Sequence, residues 1–474
     1  MRPAPRVPTG SFAQRHRSGT MAEHGHRWLA YGLAPVLILP FAADGANSAL
    51  LSASASILYL GWAALAFLLV PSDPALVRRM GPVAIPLILL LSWTAVPMVP
   101  GLARGLVPTP LDPDLLGIAW CHAFALVALV LACGMAGRLR GFARAVTTGL
   151  CVCASLLIVA MLALRGFGPP GLADMMMDHR NHRFTGLIGN ANAAGISFGM
   201  ISLLMAGVAR DRWEIWRARS RPHSPLAIPL ALIGTIVALV LVAMTQSRAA
   251  FAATIVAHGV YALAPHPVSR VPSTSPRHRV VALLALTIGA GAVWLAAPSV
   301  LARYSIADAD GSGRIAVLRH YFRLARDAPV FGYGLGGFSR FNAQTLTPDT
   351  VLLVGDFGAA HDAPLQLAIE AGWPAVALVA IAVLGIGSRI VRTPGLLRAT
   401  LARAMLLAVA IAGAGSLIDI ALNVPAIAAL SAALLGLVWG RTLGGVAIGS
   451  AGPPRSRQRE TTLASPWPTP DMRN

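Results

Sequence analysis

Long apolar runs separated by short polar segments dominate this chain. Runs of roughly 17–25 such residues predict helices that cross a bilayer. They fall near 27–43, 50–71, 81–100, 116–137, 145–164, 191–209, 226–244, 249–265, 280–298, 363–388, 401–421 and 425–440. The expected fold is an all-α, polytopic integral membrane protein of about twelve transmembrane helices. One connection is much longer than the rest, residues 299–362 between the ninth and tenth helices. Within it, 312–328 has the pattern of an amphipathic helix. Ile315, Leu318 and Phe322 lie on one side, and Arg319, Arg323 and Arg326 on another. Pro329 and a glycine-rich turn, Phe331 to Phe338, follow it. So long a connection with this much patterning points to function.

Composition supports a lipid environment. Of 474 residues, 56% are hydrophobic and 12% charged, against about 25% charged in ordinary soluble domains. The formal charge of +19 first suggests nucleic acid. Its distribution argues otherwise. All 38 basic residues are arginine. With the N-terminus inside, 27 of them fall in cytoplasmic segments and 11 outside, where 11 acidic residues balance them. Positive-inside bias accounts for this without a nucleic-acid partner.

The organisation follows. Residues 1–26 form a basic cytoplasmic tail with no apolar core, hence no signal peptide in themselves. Residues 27–440 form the transmembrane domain with its periplasmic loop 299–362, and 441–474 form a cytoplasmic tail rich in Pro, Ser and Arg, the composition of disorder. Met21 offers a second candidate start. Cys121, Cys133, Cys151 and Cys153 all lie in apolar runs and read as buried small side chains rather than metal ligands or disulfides.

Arginines on the outer side break the charge rule, and chemistry is expected there. Arg183 stands in Asn181-His-Arg-Phe-Thr-Gly-Leu-Ile-Gly-Asn-Ala-Asn192, where backbone re-enters the membrane and Asn192 could cap the sixth helix. Arg248 ends the tight hairpin Thr245-Gln-Ser-Arg248 and could otherwise snorkel to lipid phosphates. His361 precedes Asp362, a candidate N-cap with Pro364 in the first turn. Arginine binds phosphate and pyrophosphate through a planar, permanently charged fork. Histidine is the natural general base near neutral pH. Asp308 and Asp310 are conceivable metal ligands but read as solvated loop carboxylates. No Walker-type phosphate loop occurs.

These residues, in this order, resemble the O-antigen ligase and polymerase superfamily of bacterial envelope enzymes, over about 30–440. The resemblance rests on Arg183-Phe-Thr-Gly with Asn190-Ala-Asn192, on Ser247-Arg248, and on Gly313-Arg314 opening the loop helix. It continues through Pro329-Val-Phe-Gly-Tyr-Gly-Leu-Gly-Gly-Phe338 and His361 followed by Gly372. Departures are Asp362 where the family has an amide or hydroxyl, Ala191 where it has proline, and Ala375 three residues after Gly372. The resemblance implies a GT-C-like glycosyltransferase of the bacterial inner membrane, with no cofactor or metal. Its donor would be an undecaprenyl-pyrophosphate-linked glycan. Its acceptor would be lipid A–core in a ligase, another lipid-linked repeat in a polymerase, or a protein in an O-oligosaccharyltransferase. His361 would be the base. Arg183, Arg248 and Arg314 would hold the pyrophosphate, with Asn190, Asn192, Asp362 and Gly372 supporting. By position, His182 adjoins the arginine clamp and is expected to act only indirectly, while His320 decorates the loop helix. A secondary transporter or flippase is the alternative of another class. The chain shows no repeated halves, however, and few ionisable groups near the midplane, with Glu370 and Asp419 the only candidates for binding an ion and both able to pair with helix neighbours instead.

Overall fold

The computed structural model describes residues 26–99, 110–178, 183–218, 226–264, 307–355 and 357–444. The described residues are overwhelmingly helical and all belong to the compact unit that ends at Gly444. In chain order the helices are α1 (26–38), α2 (Ala49–Leu69), α3 (Pro74–Ala95), α4 (Pro113–Gly137), α5 (Phe142–Phe167) and the short α6 (Pro170–Asp174). A two-stranded hairpin follows, β1 (Met177–Asp178) antiparallel to β2 (Arg183–Phe184). Then come α7 (Ala191–Ala218), α8 (Ala227–Met244), α9 (Arg248–Leu263), α10 (Ala307–Arg326), α11 (Phe338–Thr345), α12 (Val351–Val354), α13 (Ala363–Arg392), α14 (Thr400–Ser416) and α15 (Pro425–Leu443). Eleven of the twelve predicted runs are helices. The ninth, 280–298, lies outside the described residues. Eight of the described helices are long and apolar enough to cross a membrane, while α9 and α14 are shorter apolar helices.

Polar side chains set where several helices begin. Ser48, Asp73, Asp112, Ser247 and Asp362 each stand just before a helix and accept a bond from a first-turn amide, which satisfies donors that have no intrahelical partner. At α7 the cap is Asn190, not Asn192 as the sequence suggested. Asn190 Oδ1 accepts from the amides of Asn192 and Ala193 at 2.9 and 3.0 Å. Asn192 lies inside the first turn, so its side chain is released for other partners.

At the extremes of hydropathy, burial runs the opposite way, as expected when lipid surrounds a bundle. The two least apolar spans, α7 and α15, are 89% and 72% buried, whereas the most apolar, α8, is 33% buried. Small residues let the inner helices approach. At the α4–α15 crossing, a side chain at Gly440 would strike the carbonyl of Gly134 and the backbone of Gly137. Cys133 and Cys151 are buried in this packing, but Cys121 is exposed, contrary to expectation.

The long connection is folded. The predicted helix 312–328 appears as α10, Ala307–Arg326, and takes in Asp308 and Asp310, which were expected in a loop. Its buried stripe also differs from the expected one. Val317, Tyr321 and Ala325 pack against Phe338, Phe341 and Ile369, while Ile315, Leu318 and Phe322 stay exposed. Packing against that cluster selects the face, and the Tyr321 hydroxyl, which donates to Asn342 Oδ1 at 2.9 Å inside it, leaves the neighbouring stripe outward.

Candidate functional site

One end of the bundle gathers most of the predicted residues. A cavity of about 300 Å³ is lined by Asn192 from α7, Arg314, Ile315 and Leu318 from α10, His361 before α13, and Leu417, Ile418 and Asp419 after α14. The lining is mixed, with Asn192, Arg314, His361 and Asp419 polar and the rest mostly apolar. That suits a ligand with a charged head and a hydrocarbon tail.

A hydrogen-bonded chain organises the polar lining. Arg183 donates through Nε to the Thr245 carbonyl at 2.9 Å and through a terminal nitrogen to Asn192 Oδ1 at 2.6 Å. The Asn192 amide donates in turn to Asp419 Oδ2. Asp419 Oδ1 accepts from the Ile420 amide at 2.8 Å and lies 3.3 Å from His361 Nδ1. The chain thus links β2, the α8–α9 turn, α7, the segment after α14, and His361.

Backbone strain marks the same place. His361 has φ +55° and Gln246, in the turn that Arg183 clasps, has φ +51°. Such left-handed conformations are uncommon for residues other than glycine and persist only where surroundings enforce them. At His361 the enforcing contacts are visible. Phe357 packs its ring 4.5 Å from the imidazole. Asp362 Oδ1 accepts from Leu365 N at 2.8 Å. Gln366 Oε1 accepts from the Ala360 amide at 3.2 Å and from the Asn423 side chain.

Gln366 also donates to Glu370 Oε1 at 3.1 Å. Glu370 accepts the Phe338 amide at 3.3 Å, and its own carbonyl accepts Gly334 N at 2.9 Å. The glycine-rich turn is therefore pinned to α13 by a buried carboxylate. Gly372 completes this join. It has φ +79°, and any Cβ there would collide with the Val330 carbonyl. Its role in the structure is close packing of the turn, beyond reach of the cavity lining.

The predicted residues divide accordingly. Asn192, Arg314 and His361 line the cavity. Arg183 reaches it through Asn192, and Asn190 and Asp362 act as helix caps. Arg248 sits at the first position of α9, beyond the turn clasped by Arg183, and does not line the cavity. His320 lies on α10 against Tyr321, away from the lining. Burial, and secondarily the charge of Arg323, lowers its pKa. His182 lies outside the described residues. Among the described residues, no group of three or more His, Cys, Asp or Glu side chains is arranged to hold a metal ion.

Asp419 is the residue that sequence reasoning left out of the site. From sequence it is a candidate ion-binding group or a carboxylate paired with helix neighbours. Its signal was present: a carboxylate within an apolar stretch must find partners. A site so arranged can hold an anion beside Arg314 and offer a lone pair from an oriented imidazole.

No curated protein matches the chain. A family model described as O-antigen ligase matches residues 233–380, which run from α8 into α13 and include Arg248, Arg314, His361, Asp362 and Gly372. Over that span the chain is similar to the O-antigen ligase family.

Proposed function

We propose that the protein transfers a glycan from undecaprenyl pyrophosphate to a sugar hydroxyl at the outer face of the inner membrane. The acceptor is lipid A–core. The family match supports a ligase- or polymerase-type glycosyltransferase. The observation that carries the reading is the Asp419–His361 pair in a cavity that also holds Arg314.

The chemistry follows from that pair. Nδ1–H of His361 donates to Asp419, which leaves the Nε2 lone pair for the acceptor hydroxyl. As Nε2 takes the proton, the acceptor oxygen bonds to the anomeric carbon. The bond from that carbon to the pyrophosphate oxygen breaks, and the pyrophosphate leaves with the electron pair. Arg314 meets the growing negative charge at the cavity lining, and Arg183 and Arg248, which stand behind the lining, add positive charge to that side. In-line displacement inverts the anomeric configuration. Arginine charge does the neutralising, so the reading uses no metal. The apolar lining of Ile315, Leu318, Leu417 and Ile418 suits the first part of the donor's lipid. α10 and the segment carrying Phe357 and Ala360, which line the cavity, would limit water, which would otherwise hydrolyse the donor.

The transporter reading is weaker. Glu370 and Asp419 both have hydrogen-bond partners at this end of the bundle, so neither stands ready as an ion site.

The test is purified protein in vesicles with undecaprenyl-pyrophosphate-linked glycan and lipid A–core. Glycan attached to core supports the ligase. Extension of the lipid-linked glycan assigns the polymerase instead. Neither product, with intact donor recovered, overturns the reading.

A further inference from the structure

A second polar cavity lies at the other end of the bundle. Asn192 occupies the first turn of α7, and Arg212 follows near its far end. At 1.5 Å per residue the two are separated by about 30 Å along the helix, the thickness of a bilayer's hydrocarbon core. Beside Arg212 is a cavity of about 360 Å³, lined by His26, Arg27 and Tyr31 of α1, Arg140 between α4 and α5, and Arg144 of α5.

Four guanidinium groups converge here, and one carboxylate answers them. Asp211 accepts two bonds from Arg144, at 2.7 and 2.9 Å. Arg27 and Arg140 are exposed and have no ion-pair partner among the described residues. Arg212 donates one terminal nitrogen to Thr148 Oγ1 at 3.1 Å, and its Nε is buried with no hydrogen-bond partner among the described residues. Like charges gathered at a concavity repel one another. A bound anion with several acceptor oxygens removes that repulsion and supplies the missing partner. Positive-inside bias explains arginines at this end, but not their convergence on a cavity. Trp28 and Tyr31 beside it are 77% and 50% exposed, and exposed amphipathic rings sit at headgroup depth.

We propose that this cavity binds the phosphate of an anionic phospholipid headgroup, tying α1, the α4–α5 turn and α7 to the membrane surface. The inference is independent of the glycan-transfer site.

The experiment is native mass spectrometry and thermal unfolding of the purified full-length protein with phosphatidylglycerol, phosphatidylcholine or inorganic phosphate. The wild type should retain phosphatidylglycerol in preference to phosphatidylcholine and be stabilised by it. Arg27→Gln and Arg140→Gln should each weaken retention about fivefold, the equivalent of ~1 kcal/mol per arginine at a membrane surface. Arg392→Gln, an exposed arginine at the C-terminal end of α13, should leave it unchanged. No preference for phosphatidylglycerol in the wild type overturns the proposal, whatever the variants do. So does an equal loss in Arg392→Gln, which would mean diffuse surface charge. Stabilisation by inorganic phosphate without retained lipid would also overturn it, in favour of a soluble anion.

Discussion

His361 Nδ1 and Asp419 Oδ1 stand 3.3 Å apart, joining the start of α13 to the segment after α14. A carboxylate only accepts hydrogen bonds, so the contact fixes the imidazole proton on Nδ1. Asparagine at 419 can donate instead, which moves the proton to Nε2 and turns the lone pair away from the acceptor. Asp419→Asn should therefore lower transfer by about 10²–10⁴-fold while donor binding persists. Asp419→Glu should recover part of the rate with a shifted pH profile. Equal transfer by wild type and Asp419→Asn would show that Asp419 serves packing alone.

His361 itself should show the largest effect on turnover. His361→Ala should insert, bind the lipid-linked donor and lose about 10²–10⁴-fold in transfer. His361→Gln should be nearly as poor, because an amide holds geometry but takes no proton. His320→Gln is the control, because that ring lies away from the cavity lining. Full turnover by His361→Gln in a single-turnover assay would remove base catalysis from the mechanism.

The helices were legible because uninterrupted apolar length is a local property of sequence. So was the cap at Asp362, which a residue and its next three neighbours decide. The buried face of α10 was not legible. Ile315, Leu318 and Phe322 are as apolar as Val317, Tyr321 and Ala325, and only packing against Phe338 and Ile369 chooses between them. Asp419 was hidden for the same reason. Its partners, His361 and Asn192, lie 58 and 227 residues away in the chain, and no periodicity records a contact of that range.

Asp362 offers a test of stability. Burial raises its carboxyl pKa above the ordinary value, opposed in part by the bond from Leu365 N. A raised folded-state pKa means that ionisation costs stability above that pKa, and that acidification through it removes the cost. Asparagine caps a helix about as well as aspartate and carries no charge. Asp362→Asn should thus be at least as stable as wild type at neutral pH, with the difference shrinking as pH falls. Asp362→Ala should lose roughly 1 kcal/mol. Thermal unfolding of both variants across pH checks the sign, and a growing advantage for asparagine on acidification would contradict it.

Topology follows from the arginine distribution together with the length of α7. Reporter fusions near residues 215 and 395 should read as cytoplasmic, and fusions near 175 and 330 as periplasmic. Residue 215 lies toward the end of α7 that carries Arg210, Arg212 and Arg217, whereas Asn192 opens the other end. A periplasmic signal at 215 would invert the scheme and put the His361 cavity in the cytoplasm.

The arginine clamp should reveal itself through coupling. Arg183 and Asn192 share a 2.6 Å hydrogen bond, and Asn192 hands the connection on to Asp419. Removing either partner leaves the other's polar group unsatisfied, at a cost of about 1–3 kcal/mol if buried. Arg183→Ala and Asn192→Ala should therefore each impair transfer strongly, and the double variant should be little worse than the worse single one. Arg314 lines the cavity directly. Arg314→Ala should act on the leaving group and add to the Arg183 effect. Arg248→Ala should nearly abolish transfer while insertion persists. Lysine at 183, 248 or 314 should rescue only in part, because a point charge cannot make the two parallel bonds of a guanidinium. Transfer rates for the Arg183–Asn192 cycle decide the matter. Strict additivity there would mean that the two side chains act separately and that the chain from Arg183 to His361 carries no catalytic information.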